Sequence, residues 1–390
     1  MRDTQILKNR FYELYGAEPE VVSFAPGRVN LIGEHTDYNG GHVFPCALEM
    51  GISCAARRRD DEVLRFFSMD IEKAGVIETR LSALCPLSVH RWTAYPEGVI
   101  HAIIQAGYDI PCGADFVFCG DIPSGMGLSS SAALEVATGA AVSALFGLGI
   151  SNMELALIGK SAENGYVGVN CGIMDQFASA MGKKDHAVFL DTATLEYSYA
   201  PLELGDAELV IVDSGVKHSL AGSAYNDRRR ECEQALDALK SVTKLNALCD
   251  LSPDEFERYR DAIGDPVCRK RAKHAVCENA RTREALAALD SGELEAFGRL
   301  MNESHISLRD DYEVSCPELD ILTGLAWSVE GVIGARMTGG GFGGCMIAIV
   351  RGDAVDDFTG TVREGYLERT GLEARFITAK PGDGAHIIKD

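Results

Sequence analysis

The amino-acid sequence predicts an α+β protein of two domains, and three observations lead to this prediction. A length of 390 residues exceeds that of one ordinary domain and suits two. Strand-like and helix-like segments follow one another in a mixed order, without the regular alternation typical of a parallel α/β sheet. A new apolar strand at residues 207–213 then begins a second series of elements. We therefore place the domain boundary near residue 200, which gives domains 1–199 and 200–390.

The chain begins with a predicted helix, a strand and a polar loop. Residues 4–15 carry apolar side chains at helical spacing, which predicts an amphipathic helix. Residues 21–25 form a short apolar run that predicts a buried strand. The loop that follows, residues 26–41, is rich in glycine and in polar side chains. Because loops after buried strands often carry function, this loop is a candidate site.

Residues 121–135, Asp-Ile-Pro-Ser-Gly-Met-Gly-Leu-Ser-Ser-Ser-Ala-Ala-Leu-Glu, connect a predicted strand at 115–119 to a predicted helix that reaches residue 146. Gly125 and Gly127 can adopt backbone conformations closed to other residues. The serines at 129–131 stand where a helix N-terminus leaves its amides unpaired, and such a terminus attracts phosphate. An ordinary serine-capped helix is the structural alternative.

The remaining elements follow from the same hydrophobic patterns. In chain order they are strands at 52–57 and 63–68, helices at 92–106, 152–164 and 174–181, a hairpin at 188–199, a charged helix at 225–244, several helices within 252–329, and strands at 334–337, 345–350 and 374–377.

The charge of the chain limits its partners. It carries 37 basic and 58 acidic residues, a net charge of -21. Long-range attraction to nucleic acid or to an anionic membrane would have the wrong sign, so an anionic ligand must meet a local positive site. The strongly acidic surface favours a monomer.

The twelve cysteines show neither a CxxC pair nor a zinc-like Cys/His spacing, which predicts reduced, largely buried thiols. The amino-terminal residues lack an apolar signal segment, and no stretch has the length of a membrane span. We therefore expect a cytoplasmic protein with no membrane partner.

Two glycine-rich pieces fit well-known nucleotide motifs only partly. Residues 159–161, Gly-Lys-Ser, end like a Walker A loop, but the required earlier glycine is replaced by Glu154. Residues 339–344 satisfy the dinucleotide fingerprint in letters, yet they precede a strand instead of opening a helix. A nicotinamide-dependent oxidoreductase would rest on this misplaced fingerprint alone. The loop at 125–131 has the right context without a P-loop lysine, so its phosphate contacts would come from amides, hydroxyls and a metal.

Three motifs together resemble the GHMP small-molecule kinases, and the galactokinases in particular. Residues 123–133, Pro-Ser-Gly-Met-Gly-Leu-Ser-Ser-Ser-Ala-Ala, are similar to the central family motif. Residues 27–41, Gly-Arg-Val-Asn-Leu-Ile-Gly-Glu-His-Thr-Asp-Tyr-Asn-Gly-Gly, are similar to the galactokinase signature. Residues 338–344 resemble the third, glycine-rich motif. The long galactokinase-like stretch separates this chain from mevalonate and homoserine kinases, which share mainly the other two motifs.

The resemblance implies a fold and an activity. The fold is a two-domain GHMP kinase, with a mixed sheet and helices like domain 2 of ribosomal protein S5 in the first domain and a ferredoxin-like second domain. The activity is phosphorylation of α-D-galactose at its C1 hydroxyl, as in galactose catabolism, which gives α-D-galactose 1-phosphate and ADP. ATP is the expected co-substrate and Mg²⁺ the expected metal.

The resemblance also implies roles for four residues. Asp175 corresponds to the proton acceptor and Arg28 to the arginine that stabilises the transition state. Ser131 and Glu163 correspond to the magnesium ligands. Without the resemblance, Glu163 would be interpreted as a solvated carboxylate and Ser131 as a helix cap. An Arg28–Asp175 salt bridge of purely structural importance is the corresponding alternative for that pair.

Binding residues follow in the same way. The sugar is expected at Glu34, His35, Thr36, Asp37, Gly172 and Tyr225. The nucleotide is expected at Gly125, Met126, Gly127, Leu128, Ser129, Ser130, Ser131 and Ser68, with Trp92 and Tyr95 nearby.

Two alternatives to a galactose-phosphorylating enzyme stay open. One is a related kinase for another sugar, such as N-acetylgalactosamine. The other is a sensor that binds galactose and ATP without catalysis. Sensors of that kind have a disrupted Ser-Ala element in the central loop, whereas Ser131-Ala132 is intact in this chain.

Overall fold

The computed structural model describes residues 4–86, 91–123, 125–216 and 221–389. Residues 1–3 of the amino-terminal stretch and Ser124 of the glycine–serine loop lie outside this description. The helices are α1 Thr4–Tyr15, α2 Ala94–Gln105, α3 Ser130–Phe146, α4 Asn152–Ala162, α5 Met174–Met181, α6 Ala221–Lys240, α7 Pro253–Tyr259, α8 Pro266–Asp290, α9 Leu294–Ser307, α10 Pro317–Trp327 and α11 Val355–Thr370. The strands are β1 Val21–Asn30, β2 His42–Val43, β3 Pro45–Arg58, β4 Val63–Ser68, β5 Ile77–Arg80, β6 Ala114–Gly120, β7 His186–Asp191, β8 Tyr197–Pro201, β9 Ala207–Asp213, β10 Val332–Thr338, β11 Cys345–Arg351, β12 Arg375–Ala379 and β13 His386–Ile387.

A six-stranded mixed sheet forms the first half of the molecule. Its strand order is β13-β1-β3-β6-β4-β5, and β4 and β6 run parallel within an otherwise antiparallel sheet. Helix α1 covers one face, where Leu7 and Phe11 pack against Phe67 and Val117. Helices α2, α3, α4 and α5 cover the other face. A small sheet of order β2-β7-β8 lies beside it.

Strand β1 continues past the predicted end at residue 25, up to Asn30. Its register against β3 shifts between Pro26 and Arg28. Proline has no amide hydrogen to donate to the ladder, so it is found at such irregularities. A bulge also turns the strand and re-aims the side chains after it. The bulge therefore allows the strand to carry Arg28 to the site.

The second half contains a four-stranded antiparallel sheet of order β10-β11-β9-β12. Its central strands are apolar on both faces because both faces are covered. Val212 and Met346 pack towards α10 and α11. Ile211 and Ile347 pack towards α8 and α9.

The two halves meet where β1 and β10 end. The Asn30 amide donates to Thr338 Oγ1 (3.1 Å), and Thr338 Oγ1 donates to the Asn30 carbonyl (3.0 Å). The Gly33 amide donates to Glu278 Oε1 on α8 (3.1 Å). The loop after β1 is thus held by helices and strands of the second half.

The α+β class predicted from the sequence is confirmed, as are the strand at 207–213 and helices close to 4–15 and 92–106. Helix α11 was not predicted. It has threonine, glycine and valine in its interior, which are weak helix formers, and it is stabilised by burial of Phe358, Val362 and Tyr366. The domain boundary near residue 200 stays a prediction.

Candidate active site

Arg28 and Asp175 form a two-point ion pair. Arg28 Nε donates to Asp175 Oδ1 (2.8 Å), and Nη2 donates to Oδ2 (2.9 Å). Strand β1 supplies the arginine and the first turn of α5 supplies the aspartate. The arginine side chain is 4% exposed and the aspartate side chain 31%. The carboxylate is therefore the more exposed member of the pair.

The glycine–serine loop wraps around the same arginine. Gly125, Gly127 and Ser129 all have positive φ angles, of 85°, 71° and 58°, which bring loop carbonyls towards β1. The Gly127 carbonyl accepts from Arg28 Nη1 (2.9 Å), and the Leu128 carbonyl accepts from the Arg28 amide (3.1 Å). The loop thus fixes the arginine from both its backbone and its side chain.

Ser129 precedes α3 but does not cap it. Its hydroxyl donates to Asp175 Oδ2 (2.6 Å), and no side chain caps the N-terminus of α3. The serine-capped helix considered from the sequence is therefore wrong. The backbone amides of the first turn of α3 have no capping side chain, which is the arrangement that binds anions at helix N-termini.

Glu34 is buried, with 1% of its surface exposed. One carboxylate oxygen pairs with Arg336 Nη2, and the other accepts from the Gly339 amide (3.0 Å). Burial raises the pKa of Glu34, while the Arg336 charge opposes the rise. Glu34 is thus held rigidly between the first and third sequence motifs.

His35 lies in an aromatic cage of three tyrosines. Its ring centroid is 4.7 Å from that of Tyr312, 5.6 Å from that of Tyr225 and 5.9 Å from that of Tyr38. Its Nδ1 is hydrogen-bonded to the Tyr38 hydroxyl (2.8 Å). Burial lowers the pKa of His35 to about 3, so the imidazole is neutral. Its Nε2 is buried with no hydrogen-bond partner among the described residues.

Asp37 lies directly against Gly172, and both residues line the cavity that Asp175 also lines. A Cβ on Gly172 would overlap Asp37 Oδ2, so no other residue fits without movement. Burial and then the charge of Asp175 raise the pKa of Asp37 to about 6. Thr36 lies behind these residues and does not line the cavity; its hydroxyl oxygen lies 2.8 Å from the Gly33 carbonyl oxygen and 2.7 Å from the His42 carbonyl oxygen, and its one hydrogen can be donated to either. Its sugar-binding role stays a prediction.

One cavity, called the polar cavity below, is lined mainly by polar and charged residues and has a volume of about 400 Å³. It brings together eight of the residues selected from the sequence: Arg28, Glu34, His35, Asp37, Glu163, Gly172, Asp175 and Tyr225.

Another cavity, called the apolar cavity below, has a mainly apolar lining and a volume of about 290 Å³. Ser130 and Ser131 lie at its border. Its walls include the residues expected near the nucleotide, namely Ser68, Trp92 and Tyr95, together with Ile52 and Phe118. Gly125, Met126, Gly127, Leu128 and Ser129 line neither cavity; Met126 and Leu128 point their side chains into the core.

Two further carboxyl groups are buried beside Asp175. Glu163 begins the π-helical turn Glu163–Val167 after α4 and is 7% exposed, and the nearby Ser131 hydroxyl acts to lower its pKa. Burial and then the Asp175 charge raise the pKa of Glu163 to about 7. Glu135 on α3 is 1% exposed, and burial followed by the charge of Glu163 raises its pKa well above the usual range.

Sequence reasoning missed three residues of this region. Arg336, fully buried in β10, pairs with Glu34; its signal was a single arginine inside an apolar strand. Glu135 was the one charged residue of an otherwise apolar helix. Gln176 follows Asp175 directly, and its side chain is also fully buried.

Membrane-spanning helices and clusters of metal-binding side chains are both absent from the described residues. None of the helices there is both long and apolar enough to cross a lipid bilayer. Within residues 4–86, 91–123, 125–216 and 221–389, no group of three or more His, Cys, Asp and Glu side chains is arranged to hold a metal.

Family models match three parts of the chain. The galactokinase galactose-binding signature matches residues 9–58. The GHMP kinases N terminal domain matches residues 94–183, and the GHMP kinases C terminal model matches residues 285–366. The matches therefore contain all three motifs on which the resemblance was based.

Curated relatives match over the full length. The galactokinase of Clostridium perfringens strain SM101 is 49% identical over 97% of this chain and 98% of its own length. The galactokinase of Clostridium beijerinckii is 48% identical over 100% of both chains.

Solved structures give the same result. The crystal structure of Lactococcus lactis galactokinase complexed with galactose has a TM-score of 0.96 at 42% identity, covering 98% of this chain and 99% of that one. A mevalonate kinase structure, at 17% identity and a TM-score of 0.66 over 93% of this chain and 99% of its own, shares the fold. Sequence, family models and structure agree, and the chain belongs to the galactokinase family of GHMP kinases.

Proposed function

We propose that this protein transfers the γ-phosphoryl group of ATP to the C1 hydroxyl of α-D-galactose, giving α-D-galactose 1-phosphate and ADP. The observation that carries the proposal is the placement of the Arg28–Asp175 pair. It lines the polar cavity and is hydrogen-bonded to the loop that leads into the N-terminus of α3. Membership of the galactokinase family supports the same substrate.

The polar cavity suits a monosaccharide. Its volume of about 400 Å³ lies in the range of small-molecule sites, and Glu34, His35 and Asp37 give it polar groups that can contact hydroxyls. An epimer would leave some of these buried groups unpaired, which is how such a site discriminates. His35 Nε2, buried and without a partner among the described residues, is available to a sugar oxygen.

The apolar cavity suits the nucleobase of ATP. Trp92, Tyr95 and Phe118 line it, and the Trp92 and Phe118 rings meet edge to face, with centroids 5.8 Å apart. Ser130 and Ser131 are the first residues of α3 and line this cavity. The uncapped N-terminus of α3 therefore lies between the two cavities. The phosphates would lie at this terminus, held by backbone amides and hydroxyls.

The residues present fit a magnesium ion. Ser131 and Glu163 offer a hydroxyl and a carboxylate that lie near each other. Mg²⁺ takes oxygen ligands, uses few from the protein and shares substrate phosphates. Burial raises the pKa of both Glu163 and Glu135, and a bound cation would favour their ionised forms. When bound, the ion would neutralise charge on the ATP phosphates.

Asp175 would accept the proton of the C1 hydroxyl, and Arg28 would stabilise charge on the transferred phosphoryl group. Both Asp175 oxygens already accept hydrogen bonds, from Arg28 and from Ser129. We therefore assign more of the rate enhancement to positioning and charge than to deprotonation, with late proton transfer.

The proposal extends to the state of the protein in the cell. All twelve cysteines are free, in keeping with a reducing compartment, and we propose a cytoplasmic monomer. Sedimentation velocity at two protein concentrations tests the monomer, because a dimer would sediment faster at the higher concentration.

One experiment tests the activity. ADP release is measured with galactose, N-acetylgalactosamine, glucose, mevalonate and homoserine as acceptors. We expect galactose to be used with the highest kcat/KM. Absence of galactose turnover contradicts the proposal. Binding of galactose and ATP without turnover identifies a sensor, and preference for N-acetylgalactosamine identifies the related kinase.

A further inference from the structure

Gln176 connects two acidic side chains that belong to different helices. Its amide nitrogen lies 2.9 Å from Glu135 Oε2 and 2.6 Å from Glu163 Oε2. A primary amide has two hydrogens, so one is available for each carboxyl group. Gln176 is fully buried, and its own oxygen has no hydrogen-bond partner among the described residues.

The surroundings make this bridge the main restraint on Glu163. Glu163 enters none of the ion pairs formed within the described residues, and the other side chain there that donates a hydrogen bond to it is the weakly donating Cys171 thiol (3.4 Å). It also lies in a π-helical turn, where the local backbone departs from regular helix. An amide held at 2.6 Å fixes the direction of its carboxyl group.

Glu135 restrains Gln176 in turn. It projects from α3, one helical turn after Ser131, so both expected metal ligands are tied to the same helix. Ser131 belongs to that helix directly, and Glu163 reaches it through Gln176 and Glu135.

We propose that Gln176 is a positioning residue that sets the orientation of Glu163 as a magnesium ligand, with Glu135 as its second acceptor. The bond to Oε2 leaves the other oxygen of Glu163 to the metal. Asp175 and Gln176 are consecutive on α5, so the same helical turn orients the proton acceptor through one residue and the metal ligand through the next. This inference rests on the proposed function.

The first test replaces Gln176 with methionine, which has a similar length and no hydrogen bond to offer. Mn²⁺ replaces Mg²⁺ because free Mn²⁺ is measured directly by electron paramagnetic resonance, and ADP is present at saturation. Partners that orient a metal ligand typically contribute 10- to 100-fold in metal affinity. We expect Gln176→Met to weaken Mn²⁺ binding by at least about tenfold, with the KM for galactose within about twofold of wild type.

Gln105→Met is the matched control, because Gln105 is exposed at the end of α2. It should bind Mn²⁺ as the wild type does. Unchanged Mn²⁺ affinity in a folded Gln176→Met protein would overturn the proposal. Glu163→Ala shows that the assay reports the intended site, since it should lose Mn²⁺ binding.

A second pair of variants keeps the proposal testable if Gln176→Met fails to fold. Glu135→Gln and Glu135→Met remove the same charge, but only the first keeps an acceptor for Gln176. We expect Glu135→Gln to bind Mn²⁺ at least about threefold more tightly than Glu135→Met, an estimate set below the 10- to 100-fold effect of direct partners because Glu135 acts through Gln176. Equal affinities would overturn the proposal. A wild type that turns over galactose separates either failure from a failure of the proposed function.

Discussion

The carboxylate of Asp175 accepts from Arg28 on both oxygens and from Ser129 on one, at distances of 2.6 to 2.9 Å. Replacing it with asparagine keeps the shape and removes the base. We expect Asp175→Asn to lower kcat by ~10² to 10⁴, while ATP affinity changes by less than about threefold because Asp175 does not line the apolar cavity.

A coupled ADP assay and a nucleotide titration measure the two quantities. Asp60→Asn, at an exposed position, is the control and should behave as wild type. Full activity in Asp175→Asn would remove this residue from the proposed role.

Gly172→Ala tests the contact between Gly172 and Asp37. The new Cβ would displace Asp37, which we expect to raise the KM for galactose by about tenfold, corresponding to the loss of roughly 1.4 kcal/mol of binding. Gly360→Ala adds a Cβ that meets nothing within 4 Å and should leave the KM unchanged. Equal KM values for the two variants would show that the position of Asp37 does not govern sugar binding.

Asp37 should make stability depend on pH in a defined direction. Its pKa is raised in the folded protein from 3.8 to about 6, so its protonated form is the one that folding favours. Its contribution to stability is therefore complete below pH ~4 and is lost as the pH rises towards 6. At pH 7 the wild type carries a buried charge that Asp37→Asn lacks.

We expect Asp37→Asn to melt above the wild type at pH 7, by roughly 4 °C for a penalty of about 3 kcal/mol in a chain of this size. The difference should shrink towards pH 4.5. Thermal unfolding is followed without sugar or nucleotide, and a difference independent of pH would contradict the assignment. The same variant should bind galactose more weakly.

Arg336→Met leaves the buried carboxylate of Glu34 without its cation. Breaking a buried pair by removing one partner costs about 3 to 5 kcal/mol, and Arg336 also donates to the carbonyls of Asn30 and Leu31. We expect a clear loss of thermal stability. Arg80→Met removes an exposed pair with Glu62, whose side chains are 64% and 43% accessible, and should change stability by less than about 1 kcal/mol. Equal melting temperatures for the two variants would contradict this account.

Trp92→Leu should separate the two cavities functionally. The indole lines the apolar cavity but not the polar one, so its loss should raise the KM for ATP by about tenfold. The KM for galactose should stay within about twofold. An equal rise in both KM values would mean that Trp92 supports the fold and not the nucleobase.

Eight of the residues selected from the sequence line one cavity, whereas some boundaries of the surrounding elements differ from the prediction. Arg28 and Glu34 belong to a long motif that can be recognised in the sequence, and Asp175 was assigned by the same family resemblance. The sequence did not indicate Gln176, Glu135 or Arg336, because the importance of these residues depends on burial and on partners far away in the chain. Arg336, for example, lies 302 positions after its partner Glu34. The hydrophobic pattern also ended the first predicted strand at residue 25, before Pro26. A bulge that accommodates a proline depends on the register with the facing strand, which the pattern does not contain.

The pairing of β13 with β1 sets an order on folding. Ser23 and Phe24 pair with Ile387 and His386, so two segments separated by more than 360 residues are neighbours in one sheet. While the chain leaves the ribosome, β1 is an uncovered edge until these residues emerge, and uncovered edges recruit other strands. The sheet that is synthesised first is therefore the last to be completed. Its open edge makes translation the period in which this protein is most prone to aggregate.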